Sequence, residues 1–267
     1  FFSEVGVPLL IPPKRTCLQG PCMCQALGFL FVSACLSPAM SAAPGGTATL
    51  HYWKGRGRAN PIRFMLEETA TPYKERFIQG KEDLEGLRGE GKLMFNQLPL
   101  LEIDGLNLVQ SDACIRYLAR KHDMLGKDAA EGAVVDMVQA ATLELRGVVL
   151  GYVFVPEADR ASKLAESFKT TVPKFLAPID KLLSQSKTGF VAGGDVTMAD
   201  VTLYEAISFL LDAPTPSKDW FDSYPSAQKH HTMMQSRKQM AAYIKSDRRH
   251  PFPDDVYKKA VVDTLYS

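Results

Sequence analysis

Most of this chain lacks cysteine: Cys17, Cys22, Cys24 and Cys35 fall in the first 40 of 267 residues, and the rest holds only Cys114. A body of that size with one thiol carries no internal disulfide framework, which points to a reducing, cytoplasmic compartment. Charge of one sign is also lacking. With 31 Lys and Arg against 30 Asp and Glu, the formal net charge is +1, and no basic excess points to nucleic acid or an anionic membrane. The five histidines are scattered except for His230 and His231, which sit in a Lys- and Gln-rich stretch and read as a solvated face. No metal site is expected from them. Long apolar runs are missing too, so no stable membrane insertion is expected: "ALGFLFVSACL" (26–36) is too short for the ~20 residues of a bilayer span. Followed by "SPAMSAA", it resembles a secretory h-region with a cleavage site, yet no basic segment follows Met23. A start at Met40 removes this run with four cysteines, and residues 1–46 are read as a disordered extension or a gene-model artefact.

What is present, 46% hydrophobic and 23% charged residues, suits a globular protein of one or two domains. "TATLHYW" from residue 47 reads as a strand. "ANPIRFMLEETA" reads as a helix with Ile62, Met65, Leu66 and Thr69 on one face and Pro61 in its first turn. "YKERFI" is a second strand, followed by a polar, Gly-rich segment (79–92). "PLLEI" and "LNLVQ" are joined by Asp104-Gly105, a strong hairpin signal. Ser111 is expected to N-cap a helix that buries Ile115, Leu118, Ala119 and His122. The order β-α-β, β-hairpin, α with a right-handed crossover implies a thioredoxin-like α/β domain over 47–125.

The chain changes character after "HDMLGKD" (122–128), and 129–267 is expected to be all-helical. Val134, Met137, Val138, Ala141, Leu145 and Val148 form one stripe; Leu164, Phe168, Phe175, Ile179 and Leu182 form another. "VTLYEAISFLL" (201–211) is apolar all round and predicts a buried central helix. Thr197 and Asp200 form its capping box, and Val196 and Val201 its hydrophobic staple. "PDDVYKKAVVDTLYS" (253–267) puts Val256, Ala260, Val261 and Leu265 near helical spacing after a Pro-rich hinge.

These motifs together resemble the cytosolic glutathione transferases of the tyrosine type over residues 48 to 267. "LHYWKGRGR", "EDLEGLRGEGKLMFNQLPLLEIDGLNLVQS", "LGKD" and "GGDVTMADV" carry the likeness, which is strongest to the alpha class, with pi, mu and sigma close behind. The place of a CxxC redox pair is filled by "HYWKG". The family activates the thiol of a bound tripeptide, so the protein need not supply a sulfur of its own. The resemblance implies that Tyr52 donates a hydrogen bond to the glutathione thiolate and that Arg58 assists it. Arg56 is expected in a structural ion pair.

The same resemblance assigns the peptide-binding residues. Gln110 and Ser111 match the pair that holds the γ-glutamyl carboxylate at a helix N-terminus. Gln97, Leu98 and Pro99 match the cis-proline loop facing the cysteinyl unit, and Arg88 matches an arginine for the glycyl carboxylate. Glu144 stands where the family has an Asp reaching into the neighbouring subunit's site, and Phe95 matches the aromatic key of a homodimer. Thr170 stands roughly where alpha-class proteins carry a cross-subunit arginine, which departs from the pattern. The C-terminal helix resembles a lid over the acceptor site, with Trp53 lining it.

The implied function is conjugation of reduced glutathione, as co-substrate without other cofactor, to small hydrophobic electrophiles in detoxification. Two rivals use the same fold: a non-catalytic ligand-binding or structural protein, and a glutathione-dependent isomerase or peroxidase.

Overall fold

The computed structural model describes residues 46–215 and 218–266, so the reading of the N-terminal stretch falls outside the described residues up to position 45. Strands β1 (Ala48–Tyr52), β2 (Tyr73–Phe77), β3 (Leu100–Ile103) and β4 (Leu106–Val109) form a mixed sheet in the order β2-β1-β3-β4. β1 pairs in parallel with β2, Tyr52 opposite Phe77, and antiparallel with β3, His51 opposite Leu100. At the β3–β4 turn Asp104 (φ 52°) and Gly105 (φ 76°) both adopt the left-handed conformation that a tight two-residue hairpin requires.

The crossover helix α1 (Asn60–Glu68) carries Pro61 in its first turn and buries every residue from Asn60 to Leu66. Its apolar stripe is wider than expected because α3 (Ser111–Lys121), α6 (Met198–Leu211) and α8 (Lys238–Lys245) all pack on it. Phe64 meets the rings of Tyr204 and Tyr243. The polar, Gly-rich segment (79–92) contains α2 (Lys81–Gly89). Leu84 and Leu87 are buried one turn apart, with Glu82 and Asp83 at its positive end and Arg88 at its negative end. In α3 the burial of Ile115, Leu118 and Ala119 is as expected, but His122 is the half-buried cap residue and Cys114 takes its place in the core. The Cys114 thiol donates to the Leu108 carbonyl at 3.5 Å, and burial pushes its pKa up to about 12.

The rest is helical: α4 (Ala129–Leu150), α5 (Glu157–Gln185), α6, α7 (Pro225–Ser236), α8 and α9 (Asp255–Tyr266). Thirteen consecutive residues of α6, Met198 to Leu210, are buried, so it is the central helix that its all-round apolarity predicts. Asp200 Oδ2 accepts from the Thr197 N–H and hydroxyl, at 2.8 and 2.7 Å. Its Oδ1 accepts from the Val191 N–H at 2.7 Å and meets His230 Nε2 at 2.9 Å. The capping box is therefore also a hub joining α6 to the preceding loop and to α7.

Three expectations are corrected. The buried face of α4 is Val135, Val138, Gln139, Thr142, Leu145, Arg146 and Val149, whereas Met137 is 65% exposed. Polar residues occupy core positions because they find partners. Gln139 Nε2 donates to Asp112 at 2.8 Å, and Arg146 Nε lies 3.1 Å from Glu205. His230 and His231 form no solvated face: His230 is buried on Asp200, and His231 Nε2 meets Ser208 Oγ at 3.0 Å. In α9 the buried residues are Tyr257, Val261 and Thr264, while Val256 and Leu265 are exposed. Val261 is buried as expected, with Tyr257 and Thr264 on either side of it along the helix.

Candidate active site

β1 ends at Tyr52, and the chain turns through Trp53, Lys54 and Gly55 into a 3-10 turn (Gly57–Ala59) that leads directly into α1. Tyr52 is buried, and its hydroxyl oxygen accepts the Arg58 N–H at 2.9 Å. Gly57 has φ +41°, and a Cβ there would collide with the hydroxyls of Tyr52 and Tyr257, so this position admits no side chain. The Arg58 side chain is exposed, and it is the N–H of this residue that reaches Tyr52.

Two buried arginines fix the turn from behind. Arg63 of α1 donates through Nη1 to the carbonyls of Gly55 (2.7 Å) and Arg56 (3.2 Å), and pairs with Glu75 of β2 at 2.7 Å. Arg56 pairs with Asp212 at 2.7 Å and donates to the His250 carbonyl at 2.8 Å. Arg63 was not singled out in the sequence. The available signal was a guanidinium inside an apolar helix start, where only a partnered charge survives burial.

The other predicted residues approach Tyr52 through a chain of hydrogen bonds. Ser111 is the first residue of α3 with Gln110 at the cap position, so Ser111 is not the N-cap; its hydroxyl donates to the Arg58 carbonyl at 2.7 Å. Gln110 holds φ +69° and donates through Nε2 to Gln97 Oε1 at 3.1 Å. The Leu98–Pro99 peptide is cis, with both residues buried beneath an exposed Gln97. Arg88 donates to the Asn96 carbonyl at 3.0 Å and pairs with Glu85 at 2.6 Å. Tyr52, Arg58, Ser111, Gln110, Gln97 and Arg88 thus line one continuous strip. Glu144 and Thr170 are exposed on α4 and α5, and Phe95 is 55% exposed beside Met94 in the loop before Gln97.

The second residue absent from the sequence reading is Tyr257. Its buried ring leans on Gly55, whose missing Cβ makes the room, and its hydroxyl lies 3.4 Å from that of Tyr52. Burial first, and then the neighbouring Tyr52, hold its pKa far above the usual phenol value, so it stays protonated. Trp53 stands edge-on to Tyr52 and donates from Nε1 to Thr264 at 3.2 Å. Among the described residues no group of three or more His, Cys, Asp or Glu could hold a metal ion, and no helix is long and apolar enough to cross a membrane.

The strip offers amide, hydroxyl and guanidinium groups at one end and a buried phenol at the other. Comparison with known proteins gives the family. Residues 48–120 match the family described as glutathione S-transferase, N-terminal domain, and residues 145–247 match glutathione S-transferase, C-terminal domain. Rat glutathione S-transferase alpha-5 is 31% identical over 211 residues, 79% of this chain and 94% of its own length. Mouse glutathione S-transferase A2 is 38% identical over 170 residues, 63% of this chain and 77% of its own. A solved glutathione S-transferase of the hookworm Necator americanus, Na-GST-3, described as monomeric, superposes with a TM-score of 0.65. It is 28% identical, covering 76% of this chain and 98% of that one.

Proposed function

We propose, from the premise that this chain belongs to the glutathione S-transferase family and is a glutathione transferase, that Tyr52 holds the sulfur of bound glutathione as its thiolate. The observation that carries this reading is the Arg58 N–H donating to the Tyr52 oxygen. With the oxygen engaged as an acceptor, the phenolic proton is available to a ligand sulfur. A free thiol titrates near ~8.5, and only its thiolate is a good nucleophile. A donor aimed at the sulfur beside a helix N-terminus favours the charged form. The thiol proton leaves to solvent as the tripeptide binds. The sulfur lone pair then forms a C–S bond at the electrophilic carbon. In a substitution the leaving group departs with the bonding pair; in an addition the carbon takes a proton from water. The protein contributes positioning and preorganised electrostatics.

The rest of the tripeptide is assigned along the strip. Ser111 and Gln110, at the start of α3, take the γ-glutamyl carboxylate. Gln97 and Leu98, ahead of Pro99, take the cysteinyl unit, and Arg88 exchanges a protein acceptor for the glycyl carboxylate. The Arg58 guanidinium adds positive charge near the sulfur. We assign glutathione binding to residues 47–125, and the acceptor site with its covering C-terminal helix to 129–267. The acceptor is a small hydrophobic electrophile, and the role is detoxification in the cytoplasm. Exposed Phe95 and Met94, with exposed Met137 and Leu143 on α4, support a homodimer in which Phe95 is the anchor and Glu144 reaches the partner's site.

Tyr52→Phe tests the assignment, because it keeps the ring and removes the proton. Glutathione should still bind, its thiol pKa should rise toward the free value, and kcat/KM near neutral pH should fall by roughly a hundredfold or more. The thiolate ultraviolet absorbance of the complex, titrated against pH, is the readout. Coincident curves for the two proteins with undiminished activity would sink the assignment.

A further inference from the structure

The C-terminal helix brings a second phenol to the thiol site. A tyrosine hydroxyl has one proton to donate and two lone pairs to accept with. The Tyr52 oxygen receives the Arg58 N–H at 2.9 Å on one of these and the Tyr257 O–H at 3.4 Å on the other. The second contact is long for an O–H···O bond, and hydrogen bonds around catalytic groups tighten when substrate binds. With both lone pairs engaged, the Tyr52 hydroxyl can enter a further hydrogen bond only as a donor.

The surroundings are built around the Tyr257 ring. Gly55 and Gly57 are the two positions of the β1–α1 turn where a Cβ would strike Tyr257, the first on its ring and the second on its hydroxyl. α9 is held in place independently of the phenol contact. Arg160 pairs with Asp255 at 2.6 Å, Trp53 donates to Thr264 at 3.2 Å, and Val261 is buried. The Tyr257 N–H is fixed on Asp254 Oδ1 at 2.9 Å, and its ring stands edge-on to Phe154. The charged and titratable groups facing the hydroxyl are Tyr52 from β1, Arg58 from the turn and Arg63 from α1. Neither cation can accept a hydrogen bond, which leaves the Tyr52 oxygen as the acceptor among them.

We infer that Tyr257 is a positioning residue for the transferase reaction: by donating to the Tyr52 oxygen it commits the Tyr52 proton to the glutathione sulfur and strengthens that donation. The strengthening is the mutual polarisation of hydrogen bonds in series. The inference rests on the assignment of Tyr52 given above. It predicts that α9, a segment distant in sequence, acts on the acidity of the thiol as well as covering the acceptor.

The experiment is a set of pH titrations of the glutathione thiolate by ultraviolet absorbance, with pH profiles of kcat/KM. It uses the full chain, Tyr257→Phe, Tyr52→Phe and the double variant. Tyr257→Phe keeps the ring over Gly55. It should raise the bound thiol pKa by about half a unit and lower kcat/KM at neutral pH about threefold. Rates should recover above the new pKa, with KM for glutathione unchanged. In the Tyr52→Phe background the same change should do nothing, since the oxygen it acts through is gone. Arg160→Gln, which loosens α9 without touching either phenol, should shift the thiol pKa in the same direction. An unshifted titration for Tyr257→Phe beside a shifted one for Tyr52→Phe would overturn this inference and leave Tyr52 in its role. No shift for either would remove both. Equal losses from Tyr257→Phe with and without the Tyr52 hydroxyl would show that the Tyr257 hydroxyl does not act through the Tyr52 oxygen, and would overturn the inference.

Discussion

The two halves of the strip proposed to hold glutathione are built in opposite ways. At the sulfur end Tyr52, Trp53 and Tyr257 are buried, and the turn beneath them is held by the buried guanidiniums of Arg56 and Arg63. At the peptide end Gln97 and Gln110 are exposed and Ser111 half-buried, and they bond to one another or to nearby carbonyls. A hydrogen bond is worth more in a low-dielectric site, and a donor there cannot be replaced by water. An exposed amide or hydroxyl can be replaced, at a net cost near ~1 kcal/mol. On the proposed assignment, the buried half carries the chemistry and the open half the reversible binding.

Arg63→Met offers the largest test of this contrast. It leaves the Glu75 carboxylate without its guanidinium and frees the Gly55 and Arg56 carbonyls, and losing one partner of a buried pair costs about 3–5 kcal/mol. Urea denaturation should show that loss. The surviving folded protein should have a raised glutathione thiol pKa, because the turn that presents the Arg58 N–H is loosened. A variant of full stability would show that the turn needs no support from behind.

Acid comes second. Burial holds His231 neutral with its pKa lowered to about 4, against an ordinary value of 6.5. The folded state binds fewer protons than the unfolded chain between those values, so stability is whole above pH 6.5 and is lost as pH falls toward 4. The loss should reach about 3 kcal/mol near pH 4, and His231→Asn should flatten that part of the stability profile. Next is Phe95→Glu, which should weaken self-association by ~2 kcal/mol in sedimentation and raise KM for glutathione through loss of Glu144 from a partner. An unchanged association constant would take Phe95 out of the interface. The smallest effect belongs to the open half. Ser111→Ala should raise KM about fivefold with kcat nearly unchanged, and a larger fall in kcat would mean that the open half takes part in the chemistry.

Legibility in the sequence follows the same division. The succession of strands and helices along the chain, the Asp104-Gly105 turn and the capping box at Thr197 were readable because each is set by residues a few positions apart. Tyr52, Gln97, Gln110 and Ser111 were assigned from a resemblance, and the hydrogen bonds join them into one strip. What escaped were polar groups buried with distant partners. Gln139 and Arg146 shifted the face of α4, His230 left the surface for Asp200, and Tyr257 meets a residue 205 positions earlier. A periodicity count scores each of these as solvent-facing, since the partner that permits burial lies far away in the chain. Helix α2 escaped for a milder reason: two leucines in nine residues form a stripe too sparse to count.

The lone thiol of the described residues acquires a meaning from the chemistry beside it. A catalyst that gathers electrophiles around an activated sulfur is exposed to alkylation by its own clients. Cys114 is out of their reach twice over, buried on the inner face of α3 against β4 of the hairpin and kept in its unreactive protonated form by a pKa of about 12. Adduct formation at Cys114, followed by mass spectrometry during turnover, should therefore track unfolding of the chain and remain independent of electrophile concentration. The described fold thus draws its nucleophile from a replaceable co-substrate and keeps its permanent sulfur inert, so the enzyme is spared the reaction it promotes.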